Sequence, residues 1–234
     1  MRVGAVVLGR LSSTRLPGKV LTPVAGRPLL GWVLARLERV EGLDEVVVAT
    51  SAEPEDDPIE RWCGQNGVAC FRGDLSDVAG RVVGAAEAHG LDAVARVNAD
   101  SPWLDAELLS RAIALIREGE HDIVTNVAER TWPYGISAEV MTLDALKRAR
   151  ALSDDREEAE HVTRLLYARP ESFSILNIPS SRDPVPDRLT VDTEEDLRRF
   201  ERLVTTLGDR AAGAGTDELL ATLRHIERSG QETR

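Results

Sequence analysis

The sequence predicts an α/β fold, a mostly parallel central sheet with helices on both faces. Short β-branched runs alternate with stretches of helical apolar spacing through the first 120 residues. A strand–helix–strand succession implies parallel pairing through right-handed crossovers. The chain has 234 residues, 42% hydrophobic and 29% charged, an ordinary globular composition with length for one large α/β domain or two small ones.

The apolar run VGAVVL at 3–8 reads as the first strand, since a strand buried on both faces is apolar throughout. Leu29, Leu30, Val33, Leu34, Leu37 and Val40 then recur at helical spacing. Strands follow at 45–50, 69–72 and 93–98, with helices at 77–89 and 106–118. Later strands are expected at 123–127, 138–142, 173–178 and 189–191. Residues 193–207 form a charged amphipathic helix that Thr193 and Asp196 open as a capping box. A small-residue break at 208–215 leads to a last helix at 216–229. GAGTDE in that region lacks the third glycine of GxGxxG and follows a helix, so it is discounted as a dinucleotide site.

Charge and cysteine usage exclude several functions. With 40 acidic against 29 basic residues and a net charge of −11, nonspecific binding to nucleic acid or an anionic membrane is disfavoured. Cys63 and Cys70 have no CxxC spacing, and the four histidines are scattered, so neither a disulfide framework nor a zinc site is indicated. No apolar stretch reaches membrane-helix length, and a cytoplasmic protein is the expectation.

Against that acidic background, LGRLSSTRLPGK at 8–19 gathers Arg10, Arg15 and Lys19 with two glycines and three hydroxyl residues. The loop leaves the first strand at its carboxyl end, where open parallel sheets place ligands. Glycines and small hydroxyl residues let backbone N–H groups converge on an anion, and the cations add charge. A triphosphate fits that provision; a solvated basic loop is the plainer alternative. It is not a Walker A loop, because Val20 follows Gly18-Lys19 and no glycine sits five residues before Gly18.

RLSSTRLPGKVL and the AGRPLL helix start, followed by VVVATS, PEDDPIERWC, FRGDLSDV, VNADSPWLD, TNVAERTWPYGISAEV, EHVT and RLTVDTEEDL, resemble the cytidylyltransferases that activate sugar acids. The pattern is similar to the spore coat polysaccharide biosynthesis F-type family first, then to the 3-deoxy-manno-octulosonate (CMP-KDO) and acylneuraminate cytidylyltransferases. It runs collinearly over about residues 1–205. The resemblance implies a Rossmann-like nucleotidyltransferase (GT-A-like) fold. It further implies Mg2+-dependent transfer of a nucleoside monophosphate, CMP from CTP, to a sugar acid, phosphosugar or phosphonate, with release of pyrophosphate. It places the nucleotidyltransferase domain at 1–207, with an acceptor and dimerisation insert at about 130–180 in a homodimer, and leaves 208–234 as a C-terminal helical appendage.

Residue by residue, the resemblance assigns the catalytic cations to Arg10, Arg15 and Lys19, and nucleotide contacts to Leu8, Gly9, Ser12, Ser13, Arg72, Asp77, Arg81 and Asn98. Glu139 and His161, with Thr163, would line the acceptor pocket, and Trp103 is placed to face ligand. Asp100 and Asp192 would hold the metal, as hard oxygen ligands suit Mg2+. Read without the resemblance, Asp100 serves equally as a turn former, Asp192 as a helix cap, and Arg72 with Asp77 as a surface salt bridge. The chain also departs from the pattern. The F-type family reads QARMGSTR where LGRLSSTR stands, so Leu8 removes a polar group near the base and Ser12 replaces a glycine. Ser137 replaces the aspartate of GLDVEV, and Ala159 the arginine of REHVT. The reaction type is expected to be unchanged, with a diverged acceptor. A catalytically silent nucleotide or nucleotide-sugar binding homologue and a glycosyltransferase are the rival readings.

Overall fold

The computed structural model describes residues 1–152, 163–182 and 188–231. At its centre, β1 (Val3–Leu8) pairs in parallel with β4 (Glu45–Ser51) on one side and β6 (Ala93–Asn98) on the other. Val3, Ala5 and Val7 join one apolar cluster and Val6 the opposite one, the period of two that a strand buried on both faces requires. A two-stranded ribbon, β2 (Pro23–Val24) with β3 (Arg27–Pro28), precedes α1 (Leu29–Leu37) in the first crossover. The second crossover is α2 (Asp57–Gln65), whose polar sequence hides a buried stripe of Ile59 and Cys63. It leads to β5 (Ala69–Gly73), parallel to β4, and α3 (Val78–Ala88) returns the chain to β6.

Beyond β6 the pairing changes sense. After α4 (Ala106–Arg117) come β7 (Ile123–Thr125) and β8 (Glu139–Thr142), and β8 lies antiparallel between β6 and β7. α5 (Leu143–Ala151), the short α6 (Arg164–Ala168) and β9 (Ile175–Asn177), parallel to β7, complete a sheet of order β5-β4-β1-β6-β8-β7-β9. One face is covered by α1, α2, α4, α7 (Glu194–Leu207) and α8 (Thr216–Gln231), the other by α3, α5 and α6. No helix among the described residues is long and apolar enough to cross a membrane.

The expected strand at 189–191 is not formed. Leu189 N–H donates to the Tyr134 carbonyl and Val191 N–H to the Asp100 carbonyl, two anchors on different partners rather than a ladder. Those anchors fix the residue that follows, Asp192, opposite the end of β6. The stretch after Leu207 packs into the α1–α4 core through Ala211, Ala214, Leu219, Leu220 and Leu223. The buried Arg36 guanidinium ties it there by donating to the carbonyls of Leu104, Ala211 and Ala214 at 2.7, 2.8 and 2.6 Å. Burial pulls the Arg36 pKa down to about 10, against the attraction of Asp105.

Candidate active site

The carboxyl ends of β1 and β6 open a crevice where their crossovers diverge to opposite sides, the usual ligand position in such sheets. The turn after β1 is shaped by its own backbone. Ser13 and Gly18 N–H both donate to the Leu11 carbonyl, while Asp56 Oδ1 accepts from Leu11 N–H at 2.7 Å. Gly18 has φ +74°, a left-handed conformation that a side chain would resist, and it delivers Lys19 into the crevice.

There Lys19 Nζ donates to Asp100 Oδ2 at 2.8 Å, Asp192 Oδ1 at 3.1 Å and the Val191 carbonyl at 2.9 Å. Three segments far apart in sequence thus meet at one ammonium. Arg15 reaches the same Asp192 Oδ1 at 3.0 Å, and Arg188 takes Oδ2 at 2.9 Å with the Thr190 hydroxyl beside it. Burial alone would raise the Asp192 pKa, but Lys19, Arg188 and Arg15 outweigh it and hold the carboxyl below its usual range. The capping duty expected to compete for Asp192 falls elsewhere. Thr193 Oγ1 accepts from Asp196 N–H and Asp196 returns to Thr193 N–H, so the Asp192 carboxylate faces the crevice.

The crevice has two connected cavities. One, of about 390 Å3, runs from Leu8, Gly9, Arg10 and Ser13 to Arg81. The other, of about 420 Å3, extends toward Arg130, Tyr134, Ser137, Glu139 and Arg188. Arg15, Arg96, Asn98, Asp100 and Asp192 line both. Within the second, Arg96 pairs with Glu139 at 2.6 Å and Tyr167 donates to Glu139 at 2.6 Å. Burial pushes the Glu139 pKa up, yet Arg96, Tyr167 and Thr163 together bring it below the ordinary value, and the carboxyl stays ionised. Gly135 has φ +102°, and a Cβ there would meet the Leu189 and Thr190 backbone at 2.8 Å; a side chain would push that stretch, and Asp192 with it, out of place.

Leu8, Gly9, Arg10, Ser13, Arg15, Lys19, Arg81, Asn98, Glu139, Asp100 and Asp192 therefore gather in one crevice, with Ser12 in the same turn. Arg72 does not reach it, being held by Asp57 at 2.7 Å, Glu60 at 2.8 Å and two carbonyls. Asp77 caps α3 through Gly80 N–H and pairs with Arg150. Trp103 does not face ligand: it is 1% exposed and packs edge-on against Phe200 at 4.9 Å. His161 lies outside the described residues. Sequence reasoning missed Arg96, Tyr167, Arg188 and Thr190. Arg96 interrupting an otherwise apolar strand was the available signal, because a charge in a central strand requires a partner.

Among the described residues, no group of three or more His, Cys, Asp or Glu side chains gathers as a metal site. Two carboxylates on one cationic point nonetheless fit Mg2+, which is commonly held by one or two carboxylates together with substrate phosphates and water. The Nε groups of Arg81 and Arg96 are buried with no hydrogen-bond partner. Both residues line the crevice, and buried donors without a partner are uncommon.

A family model described as cytidylyltransferase matches residues 5–227. The spore coat polysaccharide biosynthesis protein SpsF of Bacillus subtilis is 32% identical over 216 residues, covering 88% of this chain and 87% of that protein. A 3-deoxy-manno-octulosonate cytidylyltransferase of Synechococcus elongatus is 30% identical over 176 residues, covering 74% of this chain and 68% of its own. The solved structure of a cytidylyltransferase from Leptospira borgpetersenii superimposes with a TM-score of 0.91 at 30% identity, over 97% of this chain and 96% of that one.

Proposed function

As this chain belongs to the cytidylyltransferase family, we propose that it transfers CMP from CTP to a sugar acid or related anionic acceptor, with Mg2+ and release of pyrophosphate. The convergence of Lys19, Asp100 and Asp192 supports this reading above all else. A triphosphate needs cations and a metal position on one side of its reacting phosphorus, and these residues supply them. The naming of relatives for spore coat polysaccharide and 3-deoxy-manno-octulosonate supports a sugar-acid acceptor.

In this mechanism the turn 9–19 binds the triphosphate with backbone N–H groups, Arg10 and Arg15. Lys19 steadies the charge that develops on the phosphates as the bond from the α-phosphorus to its bridging oxygen breaks. Asp100 and Asp192 would hold the divalent cation, which supplies charge neutralisation and a template for the attacking and leaving oxygens. Arg96, Glu139, Tyr167 and Ser137 form the wall against which the acceptor oxygen is aimed at the α-phosphorus. Leu8 offers the base an apolar contact only, so base choice falls to the backbone and to Arg10, Arg81 and Asn98.

A pyrophosphate-release assay tests the proposal with CTP, UTP, GTP and ATP, each with 3-deoxy-manno-octulosonate, phosphosugars and phosphonates, with and without Mg2+. Release that needs CTP, an acceptor and the metal together is expected. No release from any combination would leave a silent binding homologue. Consumption of a nucleotide-sugar without pyrophosphate would make the protein a glycosyltransferase.

A further inference from the structure

The Lys19 ammonium has three N–H donors, and all three are engaged by the protein, on Asp100, Asp192 and the Val191 carbonyl. A lysine kept ready for a phosphate would leave donors open; this one is caged, its side chain 9% exposed. It sits between the two carboxylates that the proposed function gives to the metal. An ammonium and a divalent ion cannot share that point, because like charges a few ångströms apart repel strongly wherever water is scarce.

We infer that Lys19 holds the divalent cation's place in the free enzyme, so that metal and triphosphate enter together and the lysine is displaced onto the phosphates. The inference rests on the proposed function. The exchange conserves pairing, as the carboxylates trade a monovalent for a divalent partner while the ammonium trades carboxylates for phosphate. The surroundings suit such a swap. Arg188 and the Thr190 hydroxyl hold Asp192 Oδ2, leaving Oδ1 as the oxygen Lys19 shares with Arg15. Asp192 thus keeps its orientation and much of its neutralising charge when the ammonium leaves. Asp100 is less confined, with a side chain 29% exposed and a 3.4 Å contact from the Ser101 hydroxyl besides Lys19. The lysine stem has four rotatable carbons and emerges directly after Gly18.

The consequence is unusual for a residue required in turnover: removing it should improve binding of bare metal. Mn2+ is titrated into the full chain without nucleotide at pH 7.5, and free Mn2+ is read by electron paramagnetic resonance. Lys19→Met keeps length and volume without charge. It should bind Mn2+ at least about tenfold more tightly than wild type, and Asp100→Asn added to it should erase the gain. Thermal melting provides an independent readout: Mn2+ should raise the Tm of Lys19→Met well beyond its effect on wild type. Should Lys19→Met fail to fold in metal-free buffer, Lys19→Gln is titrated instead with the same expectation. Equal or weaker Mn2+ affinity in a folded Lys19 variant overturns the inference. If that happens while wild type still releases pyrophosphate from CTP, the function stands and the place-holding role falls. A gain in metal affinity in the Lys19 variant, with no pyrophosphate release by wild type from any triphosphate, would sustain the place-holding at the metal position and remove the function.

Discussion

The two cavities of the crevice are built in opposite ways. The first draws its groups from turns just past the ends of parallel strands, with Gly9 to Lys19 after β1 and Asp100 after β6. The second adds distant segments, with Glu139 opening β8 and Tyr167 on α6 gathered around Arg96 of β6, which faces both cavities. The charges of the first lie at a cleft where a ligand can exchange with them. Those of the second are locked to each other, Glu139 receiving both Arg96 and Tyr167 at 2.6 Å. The contrast matches what each half would handle. A triphosphate brings its own large charge and needs movable counter-charges, whereas an acceptor is selected by a rigid wall that already satisfies itself.

The largest test of that contrast is Asp100→Asn. On the exchangeable side the mutation should be nearly silent for folding and severe for chemistry, lowering pyrophosphate release by about a thousandfold, because the cation that would neutralise the transition state loses one of its two carboxylates. Turnover within a few-fold of wild type would separate Asp100 from the reaction. Glu139→Gln, on the other side, should show a cost in folding as well. It leaves the partly exposed Arg96 without its anion and Tyr167 with a weaker acceptor, a change that costs about 2 kcal/mol of stability, measured by urea denaturation. The pH dependence gives the sign. Burial is outweighed and the folded carboxyl titrates below the unfolded 4.5, so its contribution is fully present above 4.5 and is lost as pH falls through the lower, folded value. The gap between wild type and Glu139→Gln should therefore be widest at neutral pH and close in acid. A gap that persists unchanged in acid would mean that shape, not charge, holds this wall.

The same contrast decides what the sequence made legible. The turn at 8–19 could be read because its cations, glycines and hydroxyls lie within twelve consecutive residues after an apolar strand. Asp192 could be placed because the Thr193–Asp196 capping box, found as expected, marks where a helix begins. The second cavity depends on pairings across 28 and 43 residues, Glu139 with Tyr167 and with Arg96, and no local pattern announces such partners. Trp103 was misjudged for a related reason. Nearness to Asp100 in sequence suggested a shared environment, but the chain turns so that Trp103 meets Phe200, about a hundred residues on. Arg72 and Asp77 show the converse, polar residues beside a site whose acids and bases are consumed by Asp57, Glu60 and Arg150.

The smallest effect concerns what steadies the second cavity from outside. Its rim carries Arg130, Tyr134 and Ser137 on the stretch after β7, and Trp132 anchors that stretch by donating Nε1–H to the Ile178 carbonyl at 3.0 Å. Arg182 stacks 4.8 Å over the Trp132 ring and reaches Asp217 at 2.9 Å, in the first turn of α8. The C-terminal helix is thereby connected to the acceptor side of the crevice. An exposed ion pair contributes up to about 1 kcal/mol, so Asp217→Asn and Arg182→Met should each raise the acceptor KM about two- to fivefold, leaving the CTP KM and kcat unchanged. Because the two residues act through one contact, the double variant should be no worse than Arg182→Met alone. An equal rise in both KM values would show that the helix braces the whole crevice, and would abolish the division between a movable half and a rigid one.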